Sequence, residues 1–211
     1  MIHRFLMCSA MLCMLGCAAN SPQIQHLQLS AGDAALPLKD APLIVLDAID
    51  IPDYLLRDEL LHRESQFALR YDNTRRWAEP LDLGVQRVLG RRLQAALDTQ
   101  QVLLFPQAPP RPADWQLRVT LTHFEATGST ASIAAEGRWE QKTGDTVIVE
   151  SVVFEDSLSL SGNGGEDIAQ AMSQLLWQLA DELAAAIADR SAASDSAASG
   201  EQIIDIKTIK N

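Results

Sequence analysis

All three cysteines of this 211-residue chain, Cys8, Cys13 and Cys17, stand within its first 17 positions. Everything after them must fold without an internal disulfide and without a thiolate metal site. A chain held by burial alone needs a sizeable apolar interior, and a hydrophobic content of 47% can supply one. The length beyond Cys17 suits one domain with a proper core.

The cysteines belong to a greasy leader. Phe5–Gly16 is predominantly apolar and follows His3 and Arg4. It is too short to span a bilayer, which takes about 20 apolar residues. It suits the core of a secretory signal, about 7–15 residues behind a positive start. Met14-Leu15-Gly16-Cys17 resembles a bacterial lipobox: two apolar residues, a small one, then the cysteine that is acylated. Met7 and Leu12 are too large to precede a cleaved bond, which sets Cys8 and Cys13 aside. The reading is therefore a lipoprotein signal peptide over 1–16, lipidation at Cys17 and a tether over 17–26. The alternative is an ordinary secreted protein with an incidental cysteine. Ala18 and Ala19, with no Asp after Cys17, favour the outer membrane under the Gram-negative sorting rule. At no more than about 3.5 Å per residue, this tether keeps the body at the periplasmic face of its membrane.

A formal charge of −11 repels nucleic acid and anionic headgroups alike. Anchoring then falls to acyl chains, at about 0.8 kcal/mol per buried methylene.

Along the chain, 41–52 reads as a strand around Ile44-Val45-Leu46. Residues 59–72 support helical and extended readings, and the alternation of Gln66–Tyr71 favours the extended one. Residues 77–100 read as a helix with Pro80 in its first turn and an apolar stripe of Leu81, Val85, Val88, Leu89, Ala96 and Leu97. A short strand at 102–106 precedes a Pro-rich turn. Strands at 114–127, 131–141 and 145–160 form an antiparallel section, with Lys142–Asp145 as a hairpin turn. Residues 165–190 give the clearest helix, with Glu166 and Asp167 at its positive end. The expected fold is α/β: a single domain over 27–190, its mixed, largely antiparallel sheet covered by two main helices. Residues 191–211 read as a flexible tail, whose end, 203–210, could instead add to a neighbour's sheet edge.

Chemistry is sparse. His26, His62 and His123 have no partner at metal-ligand spacing, and no Gly-x-Ser-x-Gly elbow is present. The glycine-rich stretch within 157–171 has a phosphate-cradling layout but lacks the P-loop lysine and reads as a strand-to-helix turn. No enzyme, metal or cofactor is indicated. Eight arginines lie within 57–92 against six acids. They are either locally paired or a docking surface, and Tyr54, Tyr71 and Trp77 share the stretch. Trp177, opposite the core stripe of the last helix, packs under a loop or contacts a subunit.

These stretches together resemble the ABC-type transport auxiliary lipoprotein family, the PqiC-like transporter subunits. The likeness rests on Pro52-Asp53-Tyr54-Leu55-Leu56-Arg57, similar to the family's P-x-Y-L-x-R, and on Arg76-Trp77-Ala78-Glu79-Pro80-Leu81. Glu136-Gly137-Arg138-Trp139, Ala171-Met172-Ser173 and Leu179-Ala180 add support, over roughly 24–188. Leu56 departs from the family's acid, and Asp58-Glu59 from its Pro-Gln. The resemblance implies a non-enzymatic outer-membrane lipoprotein facing the periplasm. It would serve an MCE-domain tube protein in intermembrane lipid transport and could form a homo-oligomeric ring. Tyr54, Arg57, Arg76, Trp77 and Trp177 are the candidate partner or subunit contacts.

Overall fold

A computed structural model describes residues 22–33, 42–143 and 146–206, with backbone only at 142–143, 146 and 192–206. The leader, Cys17, residues 144–145 of the expected turn and the end of the tail lie outside the described residues. The elements run β1 (Gln25–Leu27), β2 (Ile44–Leu46), a 3-10 turn (Asp53–Leu55), β3 (Glu59–Ser65), β4 (Ala68–Trp77) and α1 (Leu81–Ala96). There follow β5 (Val102–Leu104), β6 (Trp115–Thr127), β7 (Thr130–Thr143), β8 (Thr146–Ser159) and α2 (Gly165–Ile206).

β6 is the spine of one mixed sheet of eight strands. Its burial alternates, Trp115, Leu117, Val119 and Leu121 in, Gln116, Arg118 and Thr122 out, because side chains of a strand alternate between faces. A bulge between Leu121 and His123 shifts that phase, so Phe124 and Ala126 are buried instead. On one side β6 pairs antiparallel with β7, which pairs antiparallel with β8. Its other side is shared. β2 lies parallel along its first half, with β5 outside. β3 meets its end in parallel at His62–Ala126 and carries β4 and then β1 outward.

Both helices cover the face that carries Leu117 and Val119. α1 buries Leu81, Val85, Val88, Leu89 and Leu93, while Ala96 of the expected stripe is exposed. α2 buries Ile168, Met172, Leu175, Leu176, Leu179, Leu183 and Ile187. Two glycines set the approach distances. A Cβ at Gly137 of β7 would meet Leu183 Cδ2, and one at Gly90 of α1 would meet Leu104 Cδ2. Either substitution overpacks a filled interior.

The structure bears out the fold class and differs from the sequence reading in local ways. Gln25–Leu27, read partly as tether, is a strand. Residues 59–77 form a hairpin, with Gln66-Phe67 as its turn, rather than one extended run. Trp77 closes β4 instead of opening the helix. The last helix continues past Arg190 to Ile206, where low complexity predicts flexible chain; the stretch is rich in alanine, the best helix former.

Candidate interaction site

The 3-10 turn is where the two motif-bearing segments meet. Pro52 precedes it, and Leu55, donating its amide to Pro52 O at 2.8 Å, drives its side chain into the core. The Tyr71 hydroxyl donates to Tyr54 O at 3.1 Å. Arg57 lies over the Tyr71 ring at 4.4 Å, a cation–π contact. Its Nε is 3.5 Å from Glu59, which Arg76 approaches from the other side at 3.8 Å. Arg76 Nε is buried and makes no hydrogen bond. Trp77 is buried, its amide donating to Asp58 O at 2.7 Å, and Ala78 N donates to Leu27 O at 2.7 Å. Glu79 accepts from Arg87 and, at 3.3 Å, from Gln28 Nε2, while Arg87 also donates to Leu29 O at 2.9 Å. Tyr54, Trp77, Leu81 and Met172 converge on one small cavity. Thus two sequence motifs, with Met172 of a third, share one place, and most of their residues act on the fold.

The structure brings Tyr54, Arg57, Arg76 and Trp77 together; Trp177 sits elsewhere. Its indole donates to Ser30 O at 2.7 Å, a Cβ at Gly32 (φ +63°) would stand 3.0 Å from its ring, and Arg92 stands 5.2 Å from its centroid. Ser173 Oγ accepts from Ser30 N at 3.0 Å beside it. Trp177 therefore packs under a loop, one of its two expected roles.

The arginine run is largely neutralised. Arg63 pairs with Glu125, Arg70 with Glu64, Arg75 with Asp72, Arg87 with Glu79 and Arg92 with Asp181, besides the two arginines at Glu59. The linear sequence alone could not show this, because most of these partners lie on another strand or helix.

Sequence reasoning missed Glu125. Its carboxylate is fully buried and accepts from Arg63 Nε and, at 3.1 Å, from Arg63 Nη2. Burying a charge demands such a bidentate partner. His123 Nδ1 is 3.3 Å from Glu125 Oε1, and His123 Nε2 is 2.7 Å from Ser132 Oγ. Burial and the charge of Glu125 raise the Tyr54 pKa, so its hydroxyl stays neutral.

The glycine-rich turn is filled from within. Asp167 accepts from Ser161 Oγ at 2.7 Å and Gly164 N at 2.9 Å. Its own carboxylate occupies the place a phosphate would take. Ser161 holds its pKa below the usual range, helped by the Gly164 amide. Among the described residues, no cluster of three His, Cys, Asp or Glu is placed to hold a metal. None of their helices is long and apolar enough to cross a membrane.

Acid should act in two stages. Burial, and then Arg70, hold His62 below its ordinary pKa. The unfolded chain therefore takes up a proton that the fold refuses, and stability falls as pH drops below about 6.5. Glu79 and Asp114 are held below their ordinary values by Arg87 and Arg111; Asp72 is held down by Thr74 and Arg75 despite burial. Their contribution is present above about pH 4.5 and is lost as they protonate. Thermal melts from pH 8 to 3.5 should show both declines, and His62→Gln should remove the upper one. An upper decline unchanged in His62→Gln would contradict the assignment.

The family model of the ABC-type transport auxiliary lipoprotein component matches residues 26–184. The chain belongs to that family. A search of curated proteins finds no match. Among solved structures, an uncharacterized protein is similar over 78% of this chain and 99% of its own, at 22% identity and a TM-score of 0.61. Protein XCC0632 from Xanthomonas campestris is similar over 76% and 92%, at 17% identity and 0.56. Both likenesses concern the fold.

Proposed function

We propose that this chain is a non-enzymatic docking subunit of an MCE-type intermembrane lipid transport system that maintains envelope integrity. Acyl chains on Cys17 would hold it to the outer membrane, facing the periplasm, where a spanning tube protein reaches it. The carrying observation is membership, over 26–184, of an auxiliary lipoprotein family of transporters. Two features support docking. Arg57 and Arg76 converge on Glu59 at the surface. β8, which among the described residues pairs only with β7, carries exposed Val147, Val149 and Val153, and an open apolar edge invites another chain. A second copy there would begin a ring, and a monomer in analytical ultracentrifugation, with and without the tube protein, would count against it.

Photocrosslinkers placed at Arg57 or Arg76 in cells test the partner. Capture of an MCE-domain protein supports the proposal; capture of a barrel-assembly component instead supports a structural or assembly role in another outer-membrane complex. Cys17→Ala should leave the fold unchanged, by circular dichroism, and release the protein from membranes on fractionation. Retention like that of the unaltered chain would remove the anchor.

A second reading has one observation in its favour. Ser132, His123 and Glu125 follow the order of a hydrolase relay. Arg63 holds both oxygens of that carboxylate, however, and β7 is paired on both edges, so its amides are committed to the sheet rather than to an oxyanion. A fluorophosphonate probe should leave Ser132 unlabelled, and labelling abolished by Ser132→Ala would favour the hydrolase.

A further inference from the structure

The turn of the β3–β4 hairpin carries a phenylalanine that folding does not use. Phe67 is 90% exposed, and a two-residue hairpin turn ordinarily selects Asn-Gly or Gly-containing pairs rather than an aromatic. The tip is also firmly held. Arg63, fixed on buried Glu125, donates from Nη1 to Gln66 O at 3.4 Å, and Phe67 N donates to Ser65 Oγ at 3.3 Å. An exposed aromatic on a braced turn is a wedge with a fixed direction.

Strand direction says what it faces. β1 runs parallel to β4, with Gln25 opposite Arg75, so the chain enters β1 from the side of the hairpin tip. β3 runs parallel to β6 at His62–Ala126, and β6 turns into β7 immediately beyond. The hairpin tip, the β6–β7 turn and the start of α2 therefore share one end of the sheet. From Ala68 to Arg75 is about 23 Å along the strand. From Cys17 to Gln25 the chain can span at most about 28 Å. The opposite end of β6 is about equally far from the level of Gln25, but to approach it the chain would have to double back past β1. A bilayer holding Cys17 thus meets the hairpin end first, and Ile24, 46% exposed, enters from the same side.

We infer that this end is a membrane-contact surface on which Phe67 enters the headgroup–acyl boundary of the bilayer that carries the anchor. The inference deepens the proposed function and takes its distance argument from acylation of Cys17. The net negative charge disfavours anionic lipid, so the surface that fits is zwitterionic. Beside the tip, a cleft of about 690 Å³ lined by Arg63, Arg70 and Arg75 with Glu64 and Asp72 presents both signs, as a phosphate-and-ammonium headgroup does. An aromatic inserted among polar neighbours is a familiar interfacial anchor.

The test uses the full chain, purified from membranes, with Phe67→Cys carrying a nitrobenzoxadiazole dye. Phe67 is so exposed that its replacement leaves folding unchanged, which a melt verifies. In phosphatidylethanolamine–phosphatidylcholine vesicles, emission at position 67 should shift to the blue and lose at least half its intensity to headgroup-region nitroxide lipids. The same dye at Val153→Cys, on the sheet's mid-region, should stay water-like. Emission at 67 as red and as unquenched as at 153 would overturn the inference. Mass of the purified chain reports acylation separately. A blue shift in chain lacking acyl groups, at about tenfold more lipid, would retire the anchor and leave the contact standing.

Discussion

Replacing Trp77 by alanine should cost about 3–5 kcal/mol of folding stability, the range for a buried aromatic reduced to a methyl group. The residue is 7% exposed and lines one small cavity with Tyr54, Leu55, Leu81, Phe124 and Met172. Those neighbours come from the 3-10 turn, both helices and the central strand, so they cannot collapse together into the space. Chemical denaturation at pH 7.5 would measure the loss. A cost below about 1 kcal/mol would mean that the ring is not part of the core. Trp77→Phe, which keeps most of the volume, should recover a large share of the stability.

Removing Arg63 should be comparably damaging for a different reason. In Arg63→Met the carboxylate of Glu125 stays buried without its bidentate partner, and stranding a charge in this way costs about 3–5 kcal/mol. The diagnostic is the double variant. Arg63→Met with Glu125→Leu removes the stranded charge, and stability should return to within about 1 kcal/mol of the unaltered chain, since apolar replacements of a buried pair are often neutral or favourable. A double variant as unstable as the single one would show that the loss comes from packing instead. The same pair of measurements bears on Phe67, because Arg63 braces its turn through Gln66 O.

The long elements were legible because their periodicities are long. β6 alternates from Trp115 to Thr122 and α2 keeps its stripe for many turns, so chance patterns cannot imitate them. β1 has three residues, too few for any period, and is a strand only because β4 offers it an edge. The β3–β4 turn lacks the glycine or asparagine that signals a hairpin, which let 59–72 read as one run. Trp77 beside Pro80 suggested a helix start, yet the strand extends to it because Leu27 and Asp58 take its neighbouring backbone bonds.

The candidate site divides in the same way. Its motifs could be picked out along the chain, and the resemblance they carried led to the right family. That Arg57 and Arg76 share Glu59, that Trp177 is tied to Ser30, and that the glycine-rich turn wraps Asp167 are contacts between distant or opposed side chains. Composition does not encode them.

By itself, the sequence determined that the body must fold by burial, with alternation and helical stripes setting a mixed sheet under two helices, because those properties belong to single elements. Only the tertiary structure decided which charges are cancelled, which carboxylate is buried at Glu125, and which end carries Phe67. Those depend on where strands that are remote in sequence lie beside one another, and on the direction in which each runs.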